Sequence, residues 1–477
     1  MRKTKIICTL GPACNNKRTL KKMIEAGMNV ARINLSHGTY DDIKENIAMV
    51  NEVAAECGKQ IAIMLDTKGP EVRVGTFENG YVELADGVDF EFYKEQREGN
   101  EKGVSLSYPR LVQIFKSDSS VIGRQILLDD GKIIMKVKST HSDRIVCTVV
   151  QGGKLSNRKS INIPDYHINM PYVSARDRQD IEFGLEQGVT YVAASFVRSA
   201  EDVVTLRDFI DSLGYDNIEI ISKIENQSGV ADIDNIIRVS DGIMVARGDM
   251  GVEIPFIRLP EIQKSLIRKC VMAGKFVVTA TQMLESMTTS PRPTRAEIND
   301  VANAVYDGTS AVMLSGESAA GKFPVESVKT LADICTEAER HSELHVLRDA
   351  LCHCADESSF RENICYAAKT IADSIGATAI IVESKTGSVA RAMAKYRPDC
   401  DVIAVVTSKE VCNKLCLNWG VTAVYGEELT ESDEITKQAM QKAMETGIVH
   451  KGDLVIVISS NKTVPTSGTD TLNIRII

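Results

Sequence analysis

The sequence predicts an α/β protein: a (β/α)8 barrel of the TIM type, a small β-barrel lid domain inserted into it, and a C-terminal α/β domain with a mostly parallel sheet. Three observations predict this. Eight apolar, β-branched runs alternate with amphipathic segments. A stretch of about a hundred residues after the third run breaks that alternation with short strands and turns. A second alternating series follows a polar, charged connector.

The eight runs are Lys5 to Leu10, Val30 to Leu35, Ala62 to Thr67, Tyr191 to Phe196, Ile218 to Ile224, Gly242 to Ala246, Phe276 to Ala280 and Ala311 to Leu314. Eight βα units suggest a closed barrel. Between Gly69 and Pro171 the segments Tyr81 to Leu84, Ile133 to Val137 and Ile145 to Val149 alternate as strands, with turns at Asp86-Gly87, Asp130-Gly131 and Gly152-Gly153. A β domain in a barrel loop can act as a lid. His341 to Arg361 reads as a charged, helix-like connector. Thr378 to Glu383, Val402 to Thr407, Val421 to Tyr425 and Leu454 to Ser459 then alternate with helices, and Leu472 to Ile477 closes the series. The expected domains are 1–69 with 171–345, 70–170, and 346–477.

At about 150 residues per domain, 477 residues suit three domains. Hydrophobic residues at 43 % and charged residues at 25 % exclude disordered and fibrous chains. The 56 basic and 65 acidic side chains leave a net charge of −9, which argues against nucleic-acid or anionic-membrane partners. An anionic substrate therefore needs local cations. No apolar stretch reaches about 18 residues and the amino terminus shows no cleavage site, so a cytoplasmic protein is expected. The 12 cysteines are scattered and read as buried thiols, not a disulfide framework.

Barrel enzymes carry their chemistry at the carboxyl ends of the strands, and those ends are polar here. Lys223 and Glu225 lie two apart and share a face, and Asp249 follows the neighbouring run. Two carboxylates without His or Cys suit a hard divalent ion, which points to magnesium, whereas Lys-x-Glu alone would be a structural ion pair. Gly248 and Gly251 in ARGDMG let backbone N–H groups approach an anion such as a carboxylate; a lone Gly-Asp would be an ordinary turn. Arg32, Asn34, Ser36 and His37 follow the second run, with Asp66 and Thr67 on the next. The oxygen groups fit a large monovalent cation and Arg32 fits phosphate, although NLSHG alone would more often be a helix cap.

Two motifs are rejected. Gly316 to Lys322 has P-loop spacing but ends in Phe323, where a Ser or Thr should ligate magnesium. His341, His345 and Cys352-His353-Cys354 lack zinc spacing and read as a solvated connector face.

The segments NLSHG, LDTKGPEVR, SKIEN, ARGDMGVEIP, TATQMLESM, PTRAEINDVANAV and MLSGESA occur in this order, and with them the chain resembles the pyruvate kinases from Thr4 to its end. The resemblance implies transfer of the phosphoryl group of phosphoenolpyruvate to ADP. It implies Mg²⁺ (or Mn²⁺) on Glu225 and Asp249, and K⁺ on Asn34, Ser36, Asp66 and Thr67. Arg32 and Lys223 would face the phosphate, with Lys223 stabilising the transition state. The substrate carboxylate would lie against the Gly248 and Asp249 backbone with Thr281. Thr281, through water and Ser315, would order protonation of enolpyruvate. Arg73, Lys159 and His37 would reach the nucleotide phosphates.

Glu71 resembles the K⁺-dependent members, since others carry a lysine there. Ser384, Lys385, Thr386 and Ser388 resemble an effector phosphate loop, against the plainer reading of a strand-to-helix turn capped by Ser388. A homotetramer is a family expectation. The extra C-terminal domain of some bacterial relatives is not expected after Ile477. Ser160, Asp165 and Arg176 depart from the usual Gly, Gly and Lys, which bears on the lid hinge.

Overall fold

The computed structural model describes residues 1–35, 39–164, 166, 168–341, 360–429, 431–459 and 471–477. Eight parallel strands close a barrel: Lys5–Thr9, Val30–Asn34, Ala62–Asp66, Tyr191–Ala194, Glu219–Ile224, Gly242–Ala246, Phe276–Ala280 and Ala311–Leu314. Each lies within a predicted run. The ring follows chain order, and Lys5 pairs with Ala311 to close it. Alternate residues face opposite sides of a strand. Ile7, Met64, Ile221, Met244 and Val278 accordingly fill the interior, while Ile6, Ile63, Ile220, Ile243 and Val277 pack outward under the helices. Burial on both faces explains why the runs are continuously apolar. Several helices start sharply because Thr39, Ser174 and Thr294 form reciprocal capping boxes with Asp42, Asp177 and Glu297.

The insertion after the third strand holds a seven-stranded sheet in the order Val72–Arg73, Ser160–Asn162, Gln125–Leu128, Ile133–Thr140, Arg144–Gln151, Asp89–Tyr93 and Gly103–Ser105. Its two edges meet. Val74 bridges Leu106, the Gly75 N–H donates to the Ser105 carbonyl at 2.8 Å, and the Ser107 N–H donates to the Arg73 carbonyl at 2.8 Å. The sheet thereby rolls into a small barrel around its own core of Phe90, Phe92 and Phe115. The hinge is fastened by Asp177, whose Oδ1 accepts the Lys68 and Gly69 N–H groups at 3.1 and 3.3 Å, while its Oδ2 accepts the Ser174 hydroxyl at 2.6 Å. Both chain crossings are thus tied to one buried carboxylate. Gly69 has φ +69°, and a Cβ there would lie 2.6 Å from the Ser195 carbonyl oxygen. No larger residue fits that exit from the barrel.

The C-terminal sheet runs Val421–Tyr425, Asp401–Val406, Ala379–Glu383, Leu454–Ser459 and Thr471–Ile476, parallel except for the last strand. Helices cover both faces, Phe360–Ile375 and Ser388–Tyr396 on one and Ser432–Glu445 on the other. Most of the predicted connector, residues 342–359, lies outside the described residues.

This domain closes the floor of the large barrel. Leu417 belongs to the barrel's interior cluster. The Tyr191 hydroxyl donates to one of the carbonyls of Asn413 and Lys414, at 2.9 and 3.0 Å, Lys5 Nζ donates to the Val421 carbonyl at 2.7 Å, and Arg391 Nη2 meets Glu219 Oε1 at 2.5 Å.

Candidate active site

Four strand ends bring their charges together at the upper mouth of the barrel. Lys223 Nζ donates to Asp66 Oδ1 at 3.1 Å and to Ser195 Oγ at 2.7 Å, and lies 3.1 Å from Glu225 Oε1. Arg32 Nε donates to Asp66 Oδ2 at 2.6 Å and its Nη1 to Thr9 Oγ1 at 2.8 Å. Asp66 therefore bridges the two cations that sequence placed against a phosphate. Burial disfavours the Lys223 charge, but Asp66 and Glu225 outweigh it and hold the ammonium above the usual lysine range. Burial also works against the Asp66 carboxylate, and Arg32 with Lys223 reverses that and keeps it below the usual carboxylate range. Both groups stay charged without solvent.

Ser195 was not foreseen as a site residue. It lies just past the fourth strand, where its hydroxyl faces Lys223 Nζ, the Thr67 carbonyl at 2.6 Å and Asp66 Oδ1 at 3.1 Å, and its N–H donates to Thr67 Oγ1 at 3.1 Å. A hydroxyl has one proton, which suits the shorter contact to Thr67. Ser195 thus joins Thr67 to the cluster. The next residue, Phe196, is left-handed at φ 54°, and this turn aims its N–H at Glu225 Oε2, 2.6 Å away.

Glu225 is fully buried, and its Oε1 accepts no hydrogen bond among the described residues. Burial pushes the carboxyl up to about 7; Lys223 opposes the rise and Asp249 adds to it. Asp249 stands in the first turn of the helix Arg247–Glu253 and acts electrostatically on Lys223, Glu225 and Glu71. A buried carboxylate oxygen whose close partner among the described residues is the Lys223 ammonium, within the field of a second carboxylate, suits a hard divalent cation. Asp66 also fits the monovalent ion: of about four lone-pair positions on a carboxylate, Arg32 and Lys223 use two. Asn34 pairs with Asp66 in the strand register. Ser36 and His37 lie outside the described residues.

Gly248 and Thr281 meet as expected, the Gly248 N–H donating to Thr281 Oγ1 at 2.8 Å. Thr281 and Gln282 are both left-handed, at φ 67° and 54°. This backbone is held from two sides by residues the motifs did not single out. Arg247 Nη2 donates to the Thr281 carbonyl at 2.6 Å and Nε to the Ala280 carbonyl at 3.2 Å. Glu317, fully buried, accepts the Leu284 N–H at 3.1 Å and the Ser315 N–H at 2.7 Å. Ser315 is therefore linked to the Thr281 loop through Glu317. The rejected P-loop segment does this structural work.

Arg73 and Lys159 project from neighbouring lid segments, since Ser160 pairs with Arg73. Arg73 Nε and Nη2 each lie 2.7 Å from Glu71 Oε2, and Lys159 Nζ lies 2.7 Å from Asp129 Oδ1. Burial raises the Glu71 carboxyl above its usual range against the pull of Arg73. Far from this mouth, Ser384, Lys385, Thr386 and Ser388 line a cavity of about 250 Å³. Ser384 Oγ accepts the Gly387 N–H at 3.0 Å, Gly387 is left-handed at φ 75°, and Lys385 is paired with Glu428.

Known proteins resemble the whole chain. A family model for the pyruvate kinase barrel domain matches residues 1–328, and one for the pyruvate kinase alpha/beta domain matches residues 362–475. The chain is 43 % identical to a pyruvate kinase of Geobacillus stearothermophilus, covering 100 % of this chain and 80 % of that protein. It is 42 % identical to one of Clostridium perfringens, covering all of both. A crystal structure of a pyruvate kinase from Cryptosporidium parvum superposes with a TM-score of 0.92 at 39 % identity, covering 100 % of this chain and 96 % of that one. The fold, the ordered strand ends and these full-length matches agree: the chain belongs to the pyruvate kinase family.

Proposed function

We propose the following division of labour for a phosphotransferase that moves the phosphoryl group of phosphoenolpyruvate to ADP, giving pyruvate and ATP in glycolysis. Arg32 and Lys223 bind the phosphate, and the Lys223 ammonium offsets charge on the phosphoryl group as it leaves the enol oxygen. The Gly248 and Asp249 backbone with Thr281 holds the substrate carboxylate. Thr281 and Ser315 order the water that protonates enolpyruvate. Arg73 and Lys159 exchange their present partners, Glu71 and Asp129, for ADP phosphates, and His37 joins them. Glu225 and Asp249 would hold Mg²⁺ (or Mn²⁺), and Asn34, Ser36, Asp66 and Thr67 would hold K⁺. When bound, these ions would offset the negative charge of the phosphates.

The observation that carries this reading is the buried Lys223 ammonium, shared between Asp66 Oδ1 and Glu225 Oε1, each 3.1 Å away. A coupled assay of ATP formation from ADP and phosphoenolpyruvate, with Mg²⁺ and K⁺ present, tests it through Lys223→Met. Turnover should fall by on the order of 10³ or more while calorimetry still detects phosphoenolpyruvate binding. Near-normal turnover rejects the role.

The loop 384–388 is read as a site for a phosphorylated small molecule, which would displace Glu428 from Lys385. A homotetramer accords with the exposed Phe256 and Ile257, an apolar pair that a second copy could cover. No described helix is long and apolar enough to cross a membrane. A cytoplasmic location, with neither membrane nor nucleic acid as partner, accords with the net charge of −9. The division at 1–69 with 171–345, 70–170 and 346–477 is our domain assignment.

A further inference from the structure

Glu219, Ile221 and Lys223 alternate along one strand, and Ile221 belongs to the interior cluster, so all three face the barrel interior. Glu219 sits at the floor and Lys223 at the mouth, about 13 Å apart at strand rise. Glu219 is 3 % exposed, and its partner comes from the other domain: Arg391 Nη2 at 2.5 Å. Arg391 lies one turn into the helix Ser388–Tyr396, which begins at the loop 384–388. That helix is anchored beyond Arg391 as well. Tyr396 and Lys395 both bond Glu362 Oε2, at 2.6 and 2.8 Å, and Arg397 Nη2 reaches the Gly308 carbonyl at 2.9 Å.

The pair is poorly built for stability alone. Among the described residues, Glu219 Oε2 and Arg391 Nε have no hydrogen-bond partner. Burial pushes the Glu219 carboxyl up to about 7 despite Arg391. An incompletely bonded buried ion pair is often no more stabilising than apolar residues of the same volume, so its presence at the foot of this strand calls for another reason.

We propose that Glu219 and Arg391 are positioning residues that set the height of the strand Glu219–Ile224 within the barrel and thereby place Lys223 and Glu225, coupling the C-terminal helix to substrate binding. The inference rests on the role of Lys223 given above, and it needs no effector.

The test uses the full chain with Mg²⁺ and K⁺, comparing Glu219→Gln, Arg391→Gln, the double variant and Arg391→Lys. Each single Gln variant should lower kcat/KM for phosphoenolpyruvate at least fivefold, since displacing Lys223 and Glu225 acts on turnover as well as on binding. The double variant should match the singles, and Arg391→Lys should recover most of the loss. Hydrogen exchange of the peptide spanning 219–225 should rise in step. Lowered melting temperatures with unchanged kcat/KM would overturn the proposal, as would two single effects that multiply in the double variant. If Glu219→Gln does not fold, Arg391→Gln against Arg391→Lys decides by the same split. Lys223→Met is run in parallel: full turnover there removes the catalytic reading, whereas the exchange of 219–225 reports the ion pair independently.

Discussion

Arg247 grips both carboxylate oxygens of Asp300, through Nη1 at 2.8 and 2.7 Å, and with Nη2 holds the Thr281 carbonyl at 2.6 Å. Left-handed residues other than glycine cost on the order of 1–3 kcal/mol each and persist where their surroundings enforce them. Thr281 and Gln282 are two such residues in a row, held by Arg247 at the Thr281 carbonyl and by Glu317 at the Leu284 N–H.

Arg247→Lys keeps the charge and loses the planar fork. The loop should relax and Thr281 should withdraw from Gly248. One charge-assisted hydrogen bond is worth about 1.5–3 kcal/mol, so kcat/KM for phosphoenolpyruvate is expected to fall by roughly tenfold or more. Steady-state kinetics beside a melting curve checks it; unchanged kcat/KM removes Arg247 from the account.

Replacing K⁺ by Na⁺ or tetramethylammonium should lower turnover sharply, because Asn34, Ser36, Asp66 and Thr67 offer only oxygens for a large cation. Glu71→Lys should make turnover less dependent on K⁺, since it supplies a fixed ammonium. Full activity of the unaltered chain without K⁺ would reject the assignment.

Arg73→Met should raise KM for ADP by about tenfold with KM for phosphoenolpyruvate little changed, as expected for one lost phosphate contact. Equal shifts in both constants would instead place Arg73 in lid closure.

Glu219 also makes a prediction about pH. Its carboxyl is pushed up to about 7 from its ordinary value of 4.5, so between those values the native state holds the proton more tightly than the unfolded chain. Stability from this group is present at low pH and is lost as pH rises to about 7, with a slope of up to about 1.4 kcal/mol per pH unit. The melting temperature of the unaltered protein, relative to Glu219→Gln, should therefore decline from pH 5 to 7 and level off above. A flat difference would mean that Arg391 keeps Glu219 ionised throughout.

Much of this was legible because it is periodic or local. The eight barrel runs announce themselves by doubly buried strands, and Lys223 with Glu225 share a face by spacing alone. The P-loop spacing at Gly316 to Lys322 could be set aside by its lack of a Ser or Thr at Phe323. What stayed hidden depends on closure of the ring or on contacts between domains. Ser195 read as part of a strand ending at Phe196, whereas the strand stops at Ala194 and the turn beyond it hands Ser195 to Lys223. A polar residue at the carboxyl end of a barrel strand was the available signal. Arg247 and Glu317 lie inside quoted motifs, but their acceptors and donors come from other strand ends, and no spacing within one segment reveals those. Asp177 belongs to no motif that the sequence singles out, and only folding shows it clasping both lid crossings.

Leu417 fills the underside of the barrel. A gene fragment ending at Arg340 would carry every strand of the large barrel and almost every reactive group at its mouth, yet its product would have an open base, with Tyr191, Lys5 and Glu219 facing water in place of the partners they hold now. Catalytic and C-terminal halves are thus obligate companions in this architecture, and shuffling either one into a new setting requires rebuilding that seal.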